Sequence, residues 1–591
     1  MKYPKLTELS TSRQMIDTFG GYNHNLRIGD GEFFDMKNLT SDDYPVLSTR
    51  GQRGLYTTGA PVAPVDMIAK DSLCYVDGGD FVINGERIPM ELTDEPKQLV
   101  SMGAYVIIMP DKKYINTKDF TDQGDIEAEF TTKESVSFSL CRKDSTEFPT
   151  YTKGVTAPED PEDGAMWLDT SSSPNALKQW SASAGMWIQI ASTYIRISST
   201  GIGKAFEVYD GIEISGLTGD LITEEGSVIE DSSQLAALEG SAVVWDKGDD
   251  YIVVVGILAN AWTITNQITI TRKMPVMDFV IESGNRLWGC RYGTDRKGQV
   301  VNEIYCSKLG DFKNWTCYMG ISTDSWAASL GTDGPFTGAI THLGYPLFFK
   351  ENHLHKVYTS STAAHQLVDT PCRGVQRGCD RSLAIVGEIL YYKSRSGVCA
   401  YDGSLPVEIS QAFGSERYEN AVAGAIGSKY YISMDDAAGD PHLFVYDAAK
   451  GMWHREDDFR ADCFCSCRGE LYAISKEKIY TMLGSGTQET APVEWMAETG
   501  MIGLSTPDMK YISRLILRLT LPEGSHLRVL AEYDSSGRWE QLFGITGYGT
   551  RAFTLPVRPV RCDHMRLRLE GDGSMKLFSI TKTIEQGSDV R

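Results

Sequence analysis

The chain has 591 residues, 41% of them hydrophobic and 10% aromatic, and a formal charge of −22 from 79 acidic and 57 basic side chains. That length exceeds one ordinary domain, although a β-propeller forms a large single unit. The acidic surplus argues against a surface that captures nucleic acid by overall attraction, and the most apolar run, residues 251–262, falls far short of the roughly 20 residues a membrane-spanning helix needs.

The amino-terminal MKYPKLTELSTSRQ has no apolar stretch after its lysines, so no secretory signal is expected. The 12 cysteines are scattered, many in strand-like runs, and fit a reducing interior where thiols act as small apolar residues. Residues 1–56 read as an extended amino-terminal segment. Its Gly20-Gly21 pair, Asn23 and Gly29-Asp30-Gly31 signal turns, and Phe33, Phe34, Met36 and Leu39 are apolar anchors between them. The GDGE string lacks the spaced acidic ligands of a calcium loop and reads as a turn.

Residues 57–116 carry two blade-like units, 67–88 and 99–116, in which short β-branched and aromatic runs alternate with turns. From 117 to 273 the rhythm breaks, and an inserted β-rich domain is expected. Its 157–190 block is turn-rich and holds Trp167, Trp180 and Trp187. These are candidate glycan-contact residues, or else the core of a small β-meander with little else to bury. The acidic string 224–239 is compatible with one short helix capped by Ser232 or Ser233.

The blade pattern resumes over residues 274–484. Four clear copies place glycines at the central turn, Gly344, Gly387, Gly427 and Gly469, roughly 40 residues apart, the length of one propeller blade. With the earlier units the count is six to eight blades, seven being the central value. Residues 485–591 carry longer alternating strands and read as a β-sandwich. Arg514, Arg518, Arg528, Arg558, Arg561, Arg566 and Arg568 give it a charged face, solvated or docked to an acidic partner. The expected fold class is therefore all-β: a β-propeller of about seven blades, an inserted β-rich domain and a carboxy-terminal β-sandwich.

Catalytic signatures are missing. There is no phosphate-binding loop and no nucleophile elbow. His353 and His355 share one side of a strand, but no third ligand is evident, and His454 lies in the other dense histidine string, HRED. Cys463, Cys465 and Cys467 share a face and read as core thiols. The acidic neighbours Asp435-Asp436 and Asp457-Asp458 do not supply the paired carboxyls of a glycosidase, because adjacent strand residues face opposite sides. No enzyme, metal or cofactor is expected.

Several strings resemble one family. FGGYNHNLRIGDGEFFDMKNLTSDDYPVLSTRGQRG resembles the start of bacteriophage and prophage virion proteins of the propeller-bearing neck and tail class. NRLWGC and NEIYCSKLGDFKNW look like a blade of those proteins. KSRSGVCAYDG and YYISM…HLFVYDAAKGMWHRED look like prophage tail-region proteins of Gram-positive gut bacteria. The functional classes implied are the tail nozzle (tail tubular protein B) and the packaged-DNA stabilisation hub. The resemblance implies a homo-oligomeric ring, commonly of six copies, in the virion neck or tail, assembled in the host cytoplasm. It would contact portal, adaptor or other tail proteins and let DNA pass without sequence-specific binding. The large insertion departs from the nozzle pattern and leaves open a tail-associated protein that binds host-surface glycan.

Overall fold

The computed structural model describes residues 11–217, 233–295, 298–359, 365–488, 491–505, 508–547, 549–558 and 560–586. The chain is all-β and forms two units: residues 1–99, 336–356 and 368–591, and residues 100–335 and 357–367.

Among the described residues, six four-stranded antiparallel meanders and one five-stranded sheet have the form of propeller blades. Blades 1 to 6 span 64–89, 98–125, 279–329, 338–371, 384–408 and 419–455; blade 7 spans 463–481. Blade 7 supplies only three consecutive strands. Its fourth is Gly54–Leu55, from ahead of blade 1, which pairs with Lys478–Thr481 and also holds Thr487–Gln488. At the hairpins of blades 4 to 7, Gly344, Gly387, Gly427 and Gly469 all have positive φ, the left-handed backbone that glycine adopts without penalty.

Within the first unit the blades pack face to face. Met67, Tyr75 and Val82 of blade 1 meet Cys463, Cys465 and Cys467 of blade 7. Tyr431, Leu443 and Val445 of blade 6 meet Leu471, Ala473 and Met482 of blade 7. In the second unit, Val100, Ile107 and Tyr114 of blade 2 share a core with Val280, Leu287, Phe312 and Trp315 of blade 3.

The amino-terminal segment is more than an extended lead: it is woven into the sandwich and strapped over blade 6. One sandwich sheet contains Leu39–Thr40 and Leu47–Thr49 beside Lys576–Gln586, Lys510–Leu521 and Gly549–Leu555, with Thr11–Ile16 also on Lys576–Gln586. The other runs Gly21–Tyr22, Glu32–Lys37, Glu494–Thr499, Met565–Asp572, His526–Tyr533, Trp539–Thr546. Alternation decides the core: Leu515, Leu517 and Leu519 from one sheet and Leu527, Val529, Leu567 and Leu569 from the other are buried. Gly21 has φ 84, and a Cβ there would lie 2.4 Å from the Trp453 carbonyl oxygen, so only glycine lets the strap lie this close to blade 6.

The arginines do not share one face: Arg514 and Arg518 lie on Lys510–Leu521 of one sheet, Arg528, Arg566 and Arg568 on two strands of the other, and Arg558 and Arg561 in the connection before Met565–Asp572, because alternation points side chains outward on both sheets. The second group is partly self-neutralised. Glu498, buried, takes Arg566 at 3.1 Å and Arg568 at 2.6 Å, and Arg528 meets Glu570 at 2.7 Å. Arg566 and Arg568 also lie over the rings of Phe34 and Trp539. Arg514, Arg518, Arg558 and Arg561 are exposed. From residue 485 onward acidic and basic side chains balance, so this part is neutral rather than basic, and the whole −22 resides in the first 484 residues. Replacing Glu498 by Ala strands two half-covered guanidiniums and should cost about 2 kcal/mol, read as a lower unfolding midpoint.

The inserted domain begins after Asp125, later than 117, because Asp119–Asp125 is the fourth strand of blade 2. Two of its sheets enclose a core of Phe138, Ile195, Ile197, Ile212, Ile214, Ile252, Val254 and Ile270. The helix is present as Ser233–Ala236; Ser232 and most of the acidic string lie outside the described residues, as does the Ser233 side chain.

The KLGDFKNW string of blade 3 holds this domain in place. Asn314, fully buried, accepts a hydrogen bond from the Gly211 N–H at 2.9 Å and donates to the Tyr209 carbonyl at 2.6 Å. A Cβ on Gly211 would sit 2.4 Å from the Thr316 carbonyl carbon. Asn314→Leu should cost about 2 kcal/mol, since it leaves the buried Gly211 N–H and the part-buried Tyr209 carbonyl without their partner; thermal unfolding of the second unit measures it.

Candidate functional site

The third sheet of the inserted domain, Tyr151–Gly154, Met166–Asp169, Ala176–Ser181 and Met186–Gln189, brings the three sequence-selected tryptophans together. Trp167 and Trp187 have ring centroids 5.5 Å apart, and so do Trp180 and Trp187; both contacts are edge-to-face. Strand alternation separates two faces. Leu168 and Leu177 point into a small core with Leu140 and Ala259. Trp167, Lys178, Trp180, Trp187 and Gln189 occupy the other face, since Trp167 pairs with Lys178, Lys178 with Gln189, and Trp180 with Trp187.

The three are not equivalent. Trp167 is 6% exposed, its indole N–H donates to the Gly154 carbonyl at 3.0 Å, and the Lys178 ammonium covers its ring at 5.0 Å. It belongs to the framework. Trp180 and Trp187 are half-buried. Beside them Lys178 pairs with Asp169 at 2.8 Å, and this hydrogen bond, with those from Ser171, brings the Asp169 carboxyl down to about 2. Gln189 is exposed.

The other candidates resolve into structural pairs. His353 and His355 do share a side, with parallel rings 6.1 Å apart, and both face Asp369, at 2.9 and 3.6 Å. Among the described residues no group of three or more His, Cys, Asp or Glu side chains is arranged to hold a metal ion. Burial brings His355 down to about 4 and His454 to about 3. The thiols of Cys463, Cys465 and Cys467 are buried and pushed upward by that burial. Asp435 pairs with Arg460 at 2.9 Å, Asp436 with His442 at 3.0 Å, Asp457 with Arg53 at 2.8 Å, and Asp458 with Arg455 at 2.9 Å.

One feature of the first unit had no sequence signal. A cleft of about 500 Å³ between the inner ends of blades 1, 6 and 7 is lined by Asp94, Arg381, Asn420, Asp435, Arg460 and Asp462. Arg381 reaches Asp66 at 3.4 Å and donates to the Lys97 carbonyl at 2.7 Å. Burial raises both Asp66 and Asp462. These groups come from four distant segments, so no local spacing announces them.

No family model and no curated protein matches the chain. Among solved structures, it resembles PorZ, a bacterial surface component of the type-IX secretion system of Porphyromonas gingivalis, at 10% identity and a TM-score of 0.25, over 90% of this chain and 82% of that one. It also resembles the Trypanosoma rangeli sialidase, at 7% identity and 0.19, over 98% and 96%. The Pyrococcus horikoshii acylaminoacyl peptidase matches at 10% identity and 0.22, over 51% of this chain and 49% of that one, so the chain spans about half the peptidase's length.

Proposed function

We propose that the chain is a structural, non-enzymatic component of a bacteriophage virion: a ring-forming neck or tail protein, of nozzle or hub type, around the DNA exit channel. The resemblance of its amino-terminal, blade 3 and blade 6 strings supports this reading. One observation carries it further. The acidic neighbours Asp435-Asp436 and Asp457-Asp458 are engaged with Arg460, His442, Arg53 and Arg455 in ion pairs, and the Arg53 pair joins the strap to the end of blade 6. Charge agrees, because an acidic propeller joined to a neutral sandwich repels DNA while leaving the sandwich free to meet a neighbour.

Sedimentation of the purified chain, alone and with the portal complex of its particle, tests the proposal. Closed rings of six copies have a mass of about 390 kDa, from 65.4 kDa each. The same preparation should not retard duplex DNA at physiological salt. A chain that stays at 65.4 kDa in both conditions contradicts the proposal. A second reading, a tail-associated glycan binder, is favoured by the face that carries Trp180 and Trp187.

A further inference from the structure

We infer that the outward face of the 151–189 sheet is a carbohydrate-binding platform, with Trp180 and Trp187 as the stacking surface and Lys178 and Gln189 as its polar rim. This inference rests on the glycan-binding reading and is independent of ring formation.

The first reason is the division of the sheet. Its core is already supplied on the opposite face by Leu168 and Leu177 with Leu140 and Ala259, and Trp167 by itself closes the near end of the tryptophan face. Trp180 and Trp187 remain half-buried on a strand pair at the sheet margin. Two indoles are a large apolar area to leave partly wet in a small domain.

The second reason is what lies beside them. Lys178 and Gln189 are a cross-strand pair two residues along from the Trp180–Trp187 pair, a displacement of about 7 Å at the rise of a strand. Asp169, ionised at neutral pH, is fixed against Lys178 at 2.8 Å. The face therefore offers ring surface, then an ammonium donor held in place by the buried Asp169 carboxylate, and an exposed amide that both donates and accepts. A pyranose has matching chemistry: an apolar C–H face and a rim of hydroxyls that donate and accept. A folded protein partner is a poorer fit, because two rings bounded by charges fall well below the roughly 1,000 Å² that a specific protein interface needs.

The test is titration of the full chain, by tryptophan fluorescence and calorimetry, with hexasaccharides of β-1,4-linked glucose, β-1,4-linked N-acetylglucosamine and α-1,4-linked glucose. At least one should bind saturably. Trp180→Ala should weaken that binding by about tenfold or more, and Gln189→Ala by a few-fold, with an unchanged far-ultraviolet circular dichroism spectrum. Gln189 is exposed, so its variant reports on the site even where Trp180→Ala loosens the sheet. No binding by any of the three, or equal binding by the native chain and Gln189→Ala together with a folded Trp180→Ala, overturns the inference. Neither outcome bears on ring assembly.

Discussion

Arg53→Ala should lower the stability of the first unit by about 3 to 5 kcal/mol at pH 7, the cost of stripping one partner from a buried ionic cluster. Arg53 is 5% exposed; it donates to Glu456 at 2.7 Å and to Asp457 at 2.8 Å, and its guanidinium stacks over Phe459 at 4.6 Å. Arg50 completes the cluster at 3.1 Å from Asp457 while donating to Asn38 at 2.8 Å. The amino-terminal strap is thus tied to blade 6 through charges its own sequence does not balance. Burial by itself raises the Asp457 carboxyl, but Arg53 and Arg50 outweigh it and hold the group below the usual carboxylate range. In the native protein this pair contributes above pH ~4 and is lost as the pH falls below that. In Arg53→Ala only part of that opposing charge remains, so Asp457 takes up a proton more readily. The gap between variant and native should therefore narrow under acid, which denaturant titrations at pH 7 and pH 3.5 would show.

Acid should also act through two buried histidines. His355, at 1% exposure, and His454, at 3%, stay neutral in the fold. Burial is the main cause in both. For His355, Lys350 and His353 add to it against Asp369; for His454, Lys429 and Lys450 add to it against Asp447 and Asp42. With folded values of about 4 and about 3 and an unfolded value near 6.5, their stabilisation is complete above pH ~6.5 and declines as pH falls through that value. Between pH 7 and pH 5 each should remove about 2 kcal/mol, and a His355→Asn, His454→Asn double variant should show a distinctly shallower pH slope.

Much of the fold was legible because blades repeat. A turn glycine with apolar runs on either side recurs at Gly344, Gly387, Gly427 and Gly469, and each such unit needs neighbours to bury its faces. The fourth strand of blade 7 was not legible. Gly54–Leu55 is two residues long and pairs with strands more than 400 positions away, a contact that local pattern cannot encode. The short pieces Gly21–Tyr22, Leu39–Thr40 and Leu47–Thr49 were missed as sandwich strands for the same reason. The boundary at 117 came early because Asp119–Asp125, DFTDQGD, has none of the apolar alternation of an inner strand; it is the outer strand of its blade.

The three tryptophans of the candidate site were legible in the sequence; their polar neighbours Lys178 and Gln189, and the roles of the three rings, were not, because they follow from cross-strand register. That Trp167 would be sealed by Lys178, while Trp180 and Trp187 stayed half-open, depends on which sheet face meets the rest of the domain. The arginines misled through counting: seven cations caught the eye, whereas Glu498 and Glu570, which neutralise three of them, lie on strands far off or adjacent in space.

The most direct measurement is electron microscopy of negatively stained phage particles labelled with an antibody against this chain. The account predicts label confined to the collar or tail between the head and the tail tip, with the repeat of a ring. Particles without label, or label found only on distal fibres or spikes, would contradict it.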